Sequence, residues 1–185
     1  VAADRAIIGL GRSFQEARLY PGLTVAETVA VALERHLDSR DVVAAAARLP
    51  ASTLSEAVVA EQVDDLLVRL GLTRYADSMI GELSTGTRRI VELACVLAQR
   101  PAVVLLDEPT AGVAQKETEA LGPLLRKVRD ETGATMLVID HDMPLLTSLC
   151  DRLVALELGQ VIAEGAPHSV LENDRVIESY LGVAG

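Results

Sequence analysis

Three observations predict an α/β protein built on a parallel sheet. Short apolar runs, Val-Val-Leu-Leu at 103–106 and Thr-Met-Leu-Val-Ile at 135–139, are separated by an amphipathic helix from about Gln115 to Glu131, which Gly133 closes. This strand–helix–strand order predicts a βαβ unit with two parallel strands. The wholly apolar run at 103–106 is typical of a strand that is covered on both faces of its sheet. Beyond them, Leu-Val-Ala-Leu-Glu-Leu, a Gly159-Gln160 turn and Val-Ile-Ala-Glu-Gly predict an antiparallel hairpin.

The part of the chain from about residue 24 to 99 has a helical pattern instead. Thr24 and Glu27 form a capping box ahead of an apolar stretch. Residues 55–70 place five apolar side chains on one helical face, and Gly71 then offers a stop. The segment 38–52, which a proline interrupts, is interpreted as a connecting insertion.

Composition excludes several classes of protein. The formal net charge is −10 and the chain has no basic run, so we expect no nucleic-acid partner. No apolar run approaches the roughly eighteen residues that a membrane span needs, which predicts a protein of the cytosol. Cys95 and Cys150 lie in apolar helical patterns without a second ligand at metal spacing, and we interpret them as buried thiols.

An acid pair follows the first apolar strand. In Val-Val-Leu-Leu-Asp-Glu-Pro, Asp107 and Glu108 come at the carboxyl end of a parallel strand, where α/β folds bind ligands. Asp107 could hold Mg²⁺ there, and Glu108 could orient or deprotonate an attacking water. The alternative is an acidic turn in which Pro109 merely starts the next segment.

His141 follows the second apolar strand, 34 residues beyond Asp107, which is about one βαβ repeat. It should therefore emerge at the same sheet edge, where an imidazole could contact a terminal phosphate. The alternative is a structural histidine, with Asp142 capping the next helix.

A third feature is Leu83-Ser84-Thr85-Gly86-Thr87-Arg88-Arg89, which directly precedes an amphipathic helix. Ser and Gly at a helix start leave backbone N–H groups that favour an anion. The alternative is a plain N-cap with both arginines solvated.

In order and spacing, these motifs resemble those of ABC transporter ATPases. Leu-Ser-Thr-Gly-Thr resembles the signature, Val-Val-Leu-Leu-Asp-Glu-Pro the Walker B motif, Ile-Asp-His-Asp the switch-histidine motif, and Ser-Phe-Gln at 13–15 the Q-loop. The resemblance implies a partial P-loop NTPase core, with a parallel sheet and an α-helical signature subdomain. Residues 11–29, Glu-Pro-Thr-Ala-Gly-Val at 108–113 and the ending Tyr-Leu-Gly are similar to ATPases of branched-chain amino-acid importers.

This resemblance implies a role for each matching residue. Gln15 would contact Mg²⁺ and the attacking water, Asp107 would hold Mg²⁺, Glu108 would be the catalytic base, and His141 would bind the γ-phosphate. The signature residues would close over ATP held by a second subunit in a head-to-tail pair; they are Leu83, Ser84, Thr85, Gly86 and Thr87. The resemblance also implies a permease partner, contacted through the Q-loop, and a peripheral location at the inner face of the cell membrane.

The chain departs from the family pattern in three ways. Thr85 and Thr87 replace the commoner Gly and Gln of the signature, and Ala114 lies near the usual D-loop Asp. More importantly, a P-loop requires Gly-Lys followed by Ser or Thr, whereas the only lysines, Lys116 and Lys127, follow Gln and Arg. Since the chain also begins at Val1, we expect a fragment cut just before the Q-loop and inactive alone.

The resemblance divides the chain into a Q-loop segment (1–23), a helical subdomain with the signature (24–99) and the remaining α/β core (100–185). The leading hypothesis is an ATPase that powers import of branched-chain or other hydrophobic amino acids. Two alternatives are a non-transport ABC ATPase and a degenerate regulatory domain that donates only its signature.

Overall fold

The computed structural model describes residues 8–13, 19–34 and 50–181, and its side chains are described except at 50–55 and 181. The strands are β1 (Leu10–Arg12), β2 (Val103–Asp107), β3 (Thr135–Ile139), β4 (Leu153–Glu157) and β5 (Gln160–Gly165). The helices are α1 (Val25–Leu33), α2 (Pro50–Arg69), α3 (Thr85–Ala98), α4 (Gln115–Thr132), α5 (Met143–Leu149), α6 (Pro167–Leu171) and α7 (Asp174–Val176), followed by a π-helical turn, Ile177–Leu181. Two 3₁₀ turns, Thr73–Tyr75 and Ile80–Glu82, lie between α2 and α3.

A three-stranded parallel sheet has the order β1-β2-β3. Leu10 is paired with Val103 at one side of β2, and Asp107 is paired with Ile139 at the other. All three carboxyl ends therefore lie at one edge of the sheet. The predicted α/β class with a parallel βαβ unit is confirmed.

The two faces of this sheet differ in burial. On β2, Val104 and Leu106 are buried, while the side chains facing the other way are only half-buried. On β3, Leu137 is 57% exposed and Ile139 is 60% exposed. The expectation of a strand covered on both faces is thus wrong for β2, because the described elements cover one face well and the other partly.

The helical part packs onto the sheet through one continuous core. Helix α1 packs against α2 and α3 through side chains such as Val29, Leu67 and Val91. The same cluster includes Val104 of β2 and Leu125 of α4. Burial of such side chains is the main favourable term in folding. The boundaries predicted at 23/24 and 99/100 stay a prediction.

Helix ends follow the sequence signals. The Thr24 Oγ1 accepts from the Glu27 backbone N–H at 3.2 Å, and the Glu27 carboxylate accepts from the Thr24 N–H at 2.8 Å, which confirms the capping box. Gly71 and Gly133 have φ of +68° and +66°, in the left-handed region that ends helices. Helix α2 begins earlier than expected, at Pro50, because proline suits the first turn of a helix.

The predicted antiparallel hairpin is present as β4 and β5, but its turn was placed one residue too late. Gln160 pairs with Glu157, so the two-residue loop is Leu158–Gly159. Both loop residues have positive φ, +48° and +80°, as the hairpin turn that matches strand twist requires. Leu158 therefore adopts a positive φ, which glycine adopts more readily than leucine.

The two cysteines are free thiols, but half-buried rather than buried. Burial, with the nearby Glu92 charge, raises the pKa of Cys95 to about 12. Burial and Asp151 also raise the pKa of Cys150, against an opposing effect of Arg129. Because the thiolate is the reactive form, Cys95 is poorly reactive.

None of the helices in the described ranges is both long and apolar enough to cross a lipid bilayer.

Candidate functional site

The carboxyl edge of the parallel sheet brings together the side chains that follow each strand. Glu108 donates its backbone N–H to the Ile139 carbonyl at 2.7 Å, so the first residue beyond β2 is still bonded to the last residue of β3. His141 lies two residues farther on, with its side chain 76% exposed. The acid pair and His141 thus emerge at one edge, as their spacing suggested.

Asp107 is the last residue of β2 and has a cationic neighbour on β1. The guanidinium of Arg12 donates to the Asp107 Oδ2 at 3.1 Å, and both side chains are partly exposed. The Asp107 N–H also donates to the hydroxyl of the buried Ser13, at 3.4 Å. The carboxylate is therefore held where solvent and a ligand can both reach it.

Glu108 adopts an unusual backbone conformation. Its φ is +46°, in the left-handed region, which residues other than glycine adopt only at a cost in conformational energy. The Glu108 carbonyl accepts from the Ala111 N–H at 3.0 Å, which closes a turn directly after the strand. Residues held in such conformations cluster at active sites, where neighbouring structure maintains them.

Asp140 supplies neighbouring structure of this kind. Its side chain is 0% exposed and accepts from the backbone N–H and the hydroxyl of Thr110 and from the N–H groups of His141 and Asp142. Asp142 in turn caps α5 by accepting from the Leu145 N–H at 2.8 Å. The capping role considered for Asp142 is therefore confirmed.

The second part of the site is the N-terminus of α3. Ser84 is its N-cap and accepts from the Thr87 N–H at 3.1 Å. The predicted signature residues lie consecutively at this helix start, with Leu83, Gly86 and Thr87 buried and Ser84 and Thr85 exposed.

A carboxylate from α4 covers this helix start. The Ser84 hydroxyl donates to the Glu117 Oε1 at 2.8 Å. A methyl group placed on Gly86 would meet the Glu117 Oε2 at 2.5 Å, so only glycine permits this close approach. Glu117 itself lies in the first turn of α4. One carboxylate therefore lies between the positive ends of two helix dipoles.

The two arginines after the signature are not both solvated. Arg89 is buried and forms an ion pair with the buried Glu92 at 3.3 Å. Arg88 is half-buried. The alternative of a plain N-cap with two solvated arginines is therefore wrong in its second part, because Arg89 turns into the helical core.

Comparison with known proteins identifies the family. A family model described as "ABC transporter" matches residues 5–111, and one described as "Branched-chain amino acid ATP-binding cassette transporter" matches residues 160–185. The chain belongs to the ABC transporter ATP-binding family.

One curated relative is the high-affinity branched-chain amino acid transport ATP-binding protein BraF of Pseudomonas aeruginosa. It is 38% identical over 176 residues, which are 95% of this chain and 69% of BraF. Since this ABC chain spans 69% of that relative, it corresponds to part of an ATP-binding protein.

Two solved structures are similar in fold. The cbiO1 protein of Clostridium perfringens, part of the cbiONQ ABC transporter complex, gives a TM-score of 0.73 at 28% identity, over 93% of this chain and 62% of cbiO1. The ATP-binding cassette MJ0796, solved as a dimer with ADP and Pi, gives 0.71 at 26%, over 90% of this chain and 66% of that chain. The predicted ABC ATPase fold is confirmed.

Not every predicted site residue of this ABC domain is described. Gln15, expected to contact Mg²⁺ and the attacking water, lies outside the described residues. Within the described ranges, no group of three or more His, Cys, Asp or Glu side chains is arranged to hold a metal ion. The roles of all the predicted site residues stay proposals.

Sequence reasoning missed three residues of this arrangement, namely Arg12, Thr110 and Glu117, and it left Asp140 without a role. Arg12, Thr110 and Glu117 act through partners 95, 30 and 33 positions away. Asp140 carried no signal beyond its place between an apolar strand and His141.

Proposed function

We propose that this chain supplies two halves of the nucleotide sites of an ABC transporter ATPase. The sheet edge acts on one ATP, and the N-terminus of α3 closes over the ATP of a second subunit. The observation that best supports this is the sheet edge itself, where Asp107, Glu108 and His141 follow neighbouring parallel strands. Carboxylates and an imidazole at such an edge suit phosphoryl transfer to water.

Magnesium fits the chemistry of Asp107. Mg²⁺ prefers oxygen ligands, keeps several waters, and takes one or two carboxylates together with substrate phosphates. Arg12 bonds to the Oδ2 of Asp107, so a water-mediated ion would use the Oδ1. When bound, the ion would neutralise charge on the phosphates.

The residues of this chain then have distinct tasks. Glu108 orients the attacking water and accepts its proton, and the exposed His141 donates a hydrogen bond to the terminal phosphate. Ser84 supplies its hydroxyl and Gly86 its backbone N–H to the phosphate of the other subunit's ATP, while Thr87, whose N–H donates to the Ser84 oxygen, holds Ser84 in place. The lysine that would hold the β- and γ-phosphates has no counterpart in this sequence, so we expect this chain alone to be inactive.

The proposed setting is a transporter at the inner face of the cell membrane. We infer that the intact protein pairs head to tail with a second ATP-binding subunit and contacts a permease through the segment around Gln15. The name of the relative BraF, and of the family model at residues 160–185, supports uptake of branched-chain amino acids.

A Glu108→Gln substitution in the intact subunit tests the catalytic assignment. The amide keeps the shape of the side chain but removes its basicity, so we expect Mg-ATP binding to persist while turnover falls about 100-fold or more. Calorimetry gives the binding and phosphate release gives the turnover. Normal turnover would exclude Glu108 as the catalytic base, whereas an intact subunit that shows no turnover before substitution would favour the degenerate regulatory alternative.

Uptake of labelled leucine, isoleucine and valine tests the substrate class. Cells that carry the intact transporter should accumulate these amino acids, and labelled lysine serves as a charged comparison. The Glu108→Gln transporter is the matched negative control. Uptake that does not depend on Glu108, or that favours lysine, would contradict the proposed substrate.

A further inference from the structure

Asp140 is a buried carboxylate with an unusually complete set of donors. Its Oδ1 accepts from the Thr110 hydroxyl at 2.7 Å, the His141 N–H at 2.7 Å and the Asp142 N–H at 3.0 Å. Its Oδ2 accepts from the Thr110 N–H at 3.1 Å and the same hydroxyl at 2.8 Å. Since burying a charge is costly unless it is hydrogen-bonded, this set of donors is what allows a charged group here.

These donors specify a carboxylate rather than an amide. Backbone N–H groups face both oxygens, from Thr110 on one side and from His141 and Asp142 on the other. An asparagine would present its NH₂ group to one of these N–H groups and leave a buried donor unpaired. The site therefore depends on two acceptor oxygens.

The hydrogen bonds between Asp140 and Thr110 join the loop after β3 to the loop after β2, beyond the point where the two strands are paired. The paired register of β2 and β3 ends at Asp107 and Ile139, and the Glu108 N–H makes one further bond to the Ile139 carbonyl. Beyond that point, Asp140 connects the two loops through Thr110. Thr110 is two residues after Glu108, and His141 directly follows Asp140.

We propose that Asp140 is a positioning residue for ATP hydrolysis, which fixes Glu108 and His141 relative to each other through Thr110. This inference rests on the proposed function of those two residues. Asp140 maintains the left-handed turn at Glu108 from one side and the His141 backbone from the other. Because catalytic groups lose much of their effect when displaced by about 1 Å, loosening this connection should slow turnover more than it weakens nucleotide binding.

Three variants of the intact ATP-binding subunit test this inference. Asp140→Asn removes one acceptor oxygen. Thr110→Val removes only the hydroxyl, while Thr110→Ser keeps it and serves as the matched control. Steady-state phosphate release gives kcat and KM for Mg-ATP, and kcat is expressed per folded molecule from circular dichroism and thermal unfolding.

We expect kcat to fall about tenfold or more in Asp140→Asn and about threefold in Thr110→Val, with KM for Mg-ATP within about twofold. Thr110→Ser should retain kcat. The double variant Asp140→Asn/Thr110→Val should be no slower than Asp140→Asn alone, because both substitutions break one connection.

A purely structural role gives a different result, in which melting temperature falls while kcat per folded molecule is unchanged. That result in Thr110→Val would overturn the inference even if Asp140→Asn fails to fold. Glu108→Gln in the intact ATP-binding subunit distinguishes the positioning role of Asp140 from the proposed function on which it rests. Loss of turnover in Glu108→Gln together with normal kcat in Asp140→Asn and Thr110→Val rejects the role of Asp140. Normal turnover in Glu108→Gln rejects the proposed function itself.

Discussion

The sheet edge and the signature helix are each held by a carboxylate, but in opposite ways. At the sheet edge, Asp140 is fully buried and accepts from four donor groups. At the signature, Glu117 is half-buried and receives the hydroxyl of the exposed Ser84. A buried, fully bonded charge fixes geometry, whereas a solvent-accessible contact can be exchanged for another ligand.

The chemistry of Ser84 makes this difference specific. A serine hydroxyl carries one proton, and in the structure Ser84 donates it to Glu117. The contact of 3.0 Å between the Ser84 and Thr87 hydroxyls must then have Thr87 as its donor. A phosphate that accepts a hydrogen bond from Ser84 would therefore have to displace Glu117. The hydrogen bonds of Asp140, in contrast, do not have to break when a nucleotide binds.

The largest effect should come from Ser84→Arg in the intact subunit. The bulky cation would fill the helix start and pair with Glu117, so we expect ATP binding to each monomer but loss of the closed pair and of turnover, by about 100-fold. Light scattering with Mg-ATP measures the pairing. The control is Thr73→Arg, at an exposed position of a neighbouring 3₁₀ turn. Unchanged pairing in Ser84→Arg would show that this helix start does not meet a second subunit.

An intermediate effect of opposite sign should come from Glu117→Ala. Removing the carboxylate frees the Ser84 hydroxyl to donate its hydrogen bond to the phosphate. It also removes a negative charge near the incoming phosphate. Two like charges about 4 Å apart repel by about 1 kcal/mol in water, so ATP-driven pairing should tighten about fivefold. Titration of ATP against dimer formation in a Glu108→Gln background measures it, with the exposed Glu119→Ala as the control. Weaker pairing would mean that Glu117 supports the signature rather than competing for it.

The smallest effect concerns Ala114, the N-cap of α4, which makes no side-chain capping bond. In α1 the corresponding glutamate, Glu27, bonds back to its own N-cap residue, whereas Glu117 reaches Ser84 instead. Ala114→Ser should stabilise the protein by about 0.5–1 kcal/mol and draw Glu117 toward its own helix. Urea unfolding of the intact subunit measures the stability. A destabilised Ala114→Ser variant would refute this explanation of the Glu117 contact, and Ala114→Gly provides a cap without a hydroxyl for comparison.

Local signals account for what the sequence predicted well. The capping box at Thr24, the stops at Gly71 and Gly133, and the apolar strands all depend on residues within a few positions of one another. Three parallel strands then bring their carboxyl ends to one edge, so the acid pair and His141 could be placed together from spacing alone.

The remainder depends on distant partners and on open surface. The contacts of Arg12 with Asp107 and of Ser84 with Glu117 have no local sequence pattern, because in each contact the two residues belong to different elements that are far apart in the chain. The sequence predicts the hairpin turn one residue too late, at Gly159-Gln160, because glycine is the residue most typical of such turns. In the structure Leu158 also adopts a positive φ. An apolar run does not by itself reveal whether a second layer covers a strand, and the described elements leave Leu137 and Ile139 of β3 exposed.

The central claim is that the sheet edge of one chain works with the signature of another. The most direct measurement mixes two inactive forms of the intact subunit, Glu108→Gln and Ser84→Arg, and records phosphate release. In a mixed head-to-tail pair, one site combines both defects and the other combines an intact Glu108 with an intact Ser84. Random pairing would make half of the pairs mixed in an equal mixture, and each mixed pair has one working site. Because the Ser84→Arg subunit pairs more weakly, activity should return to at most about a quarter of the wild-type level. Mixtures as inactive as either variant alone would contradict the claim, because they would show that the two regions do not form one site between two chains.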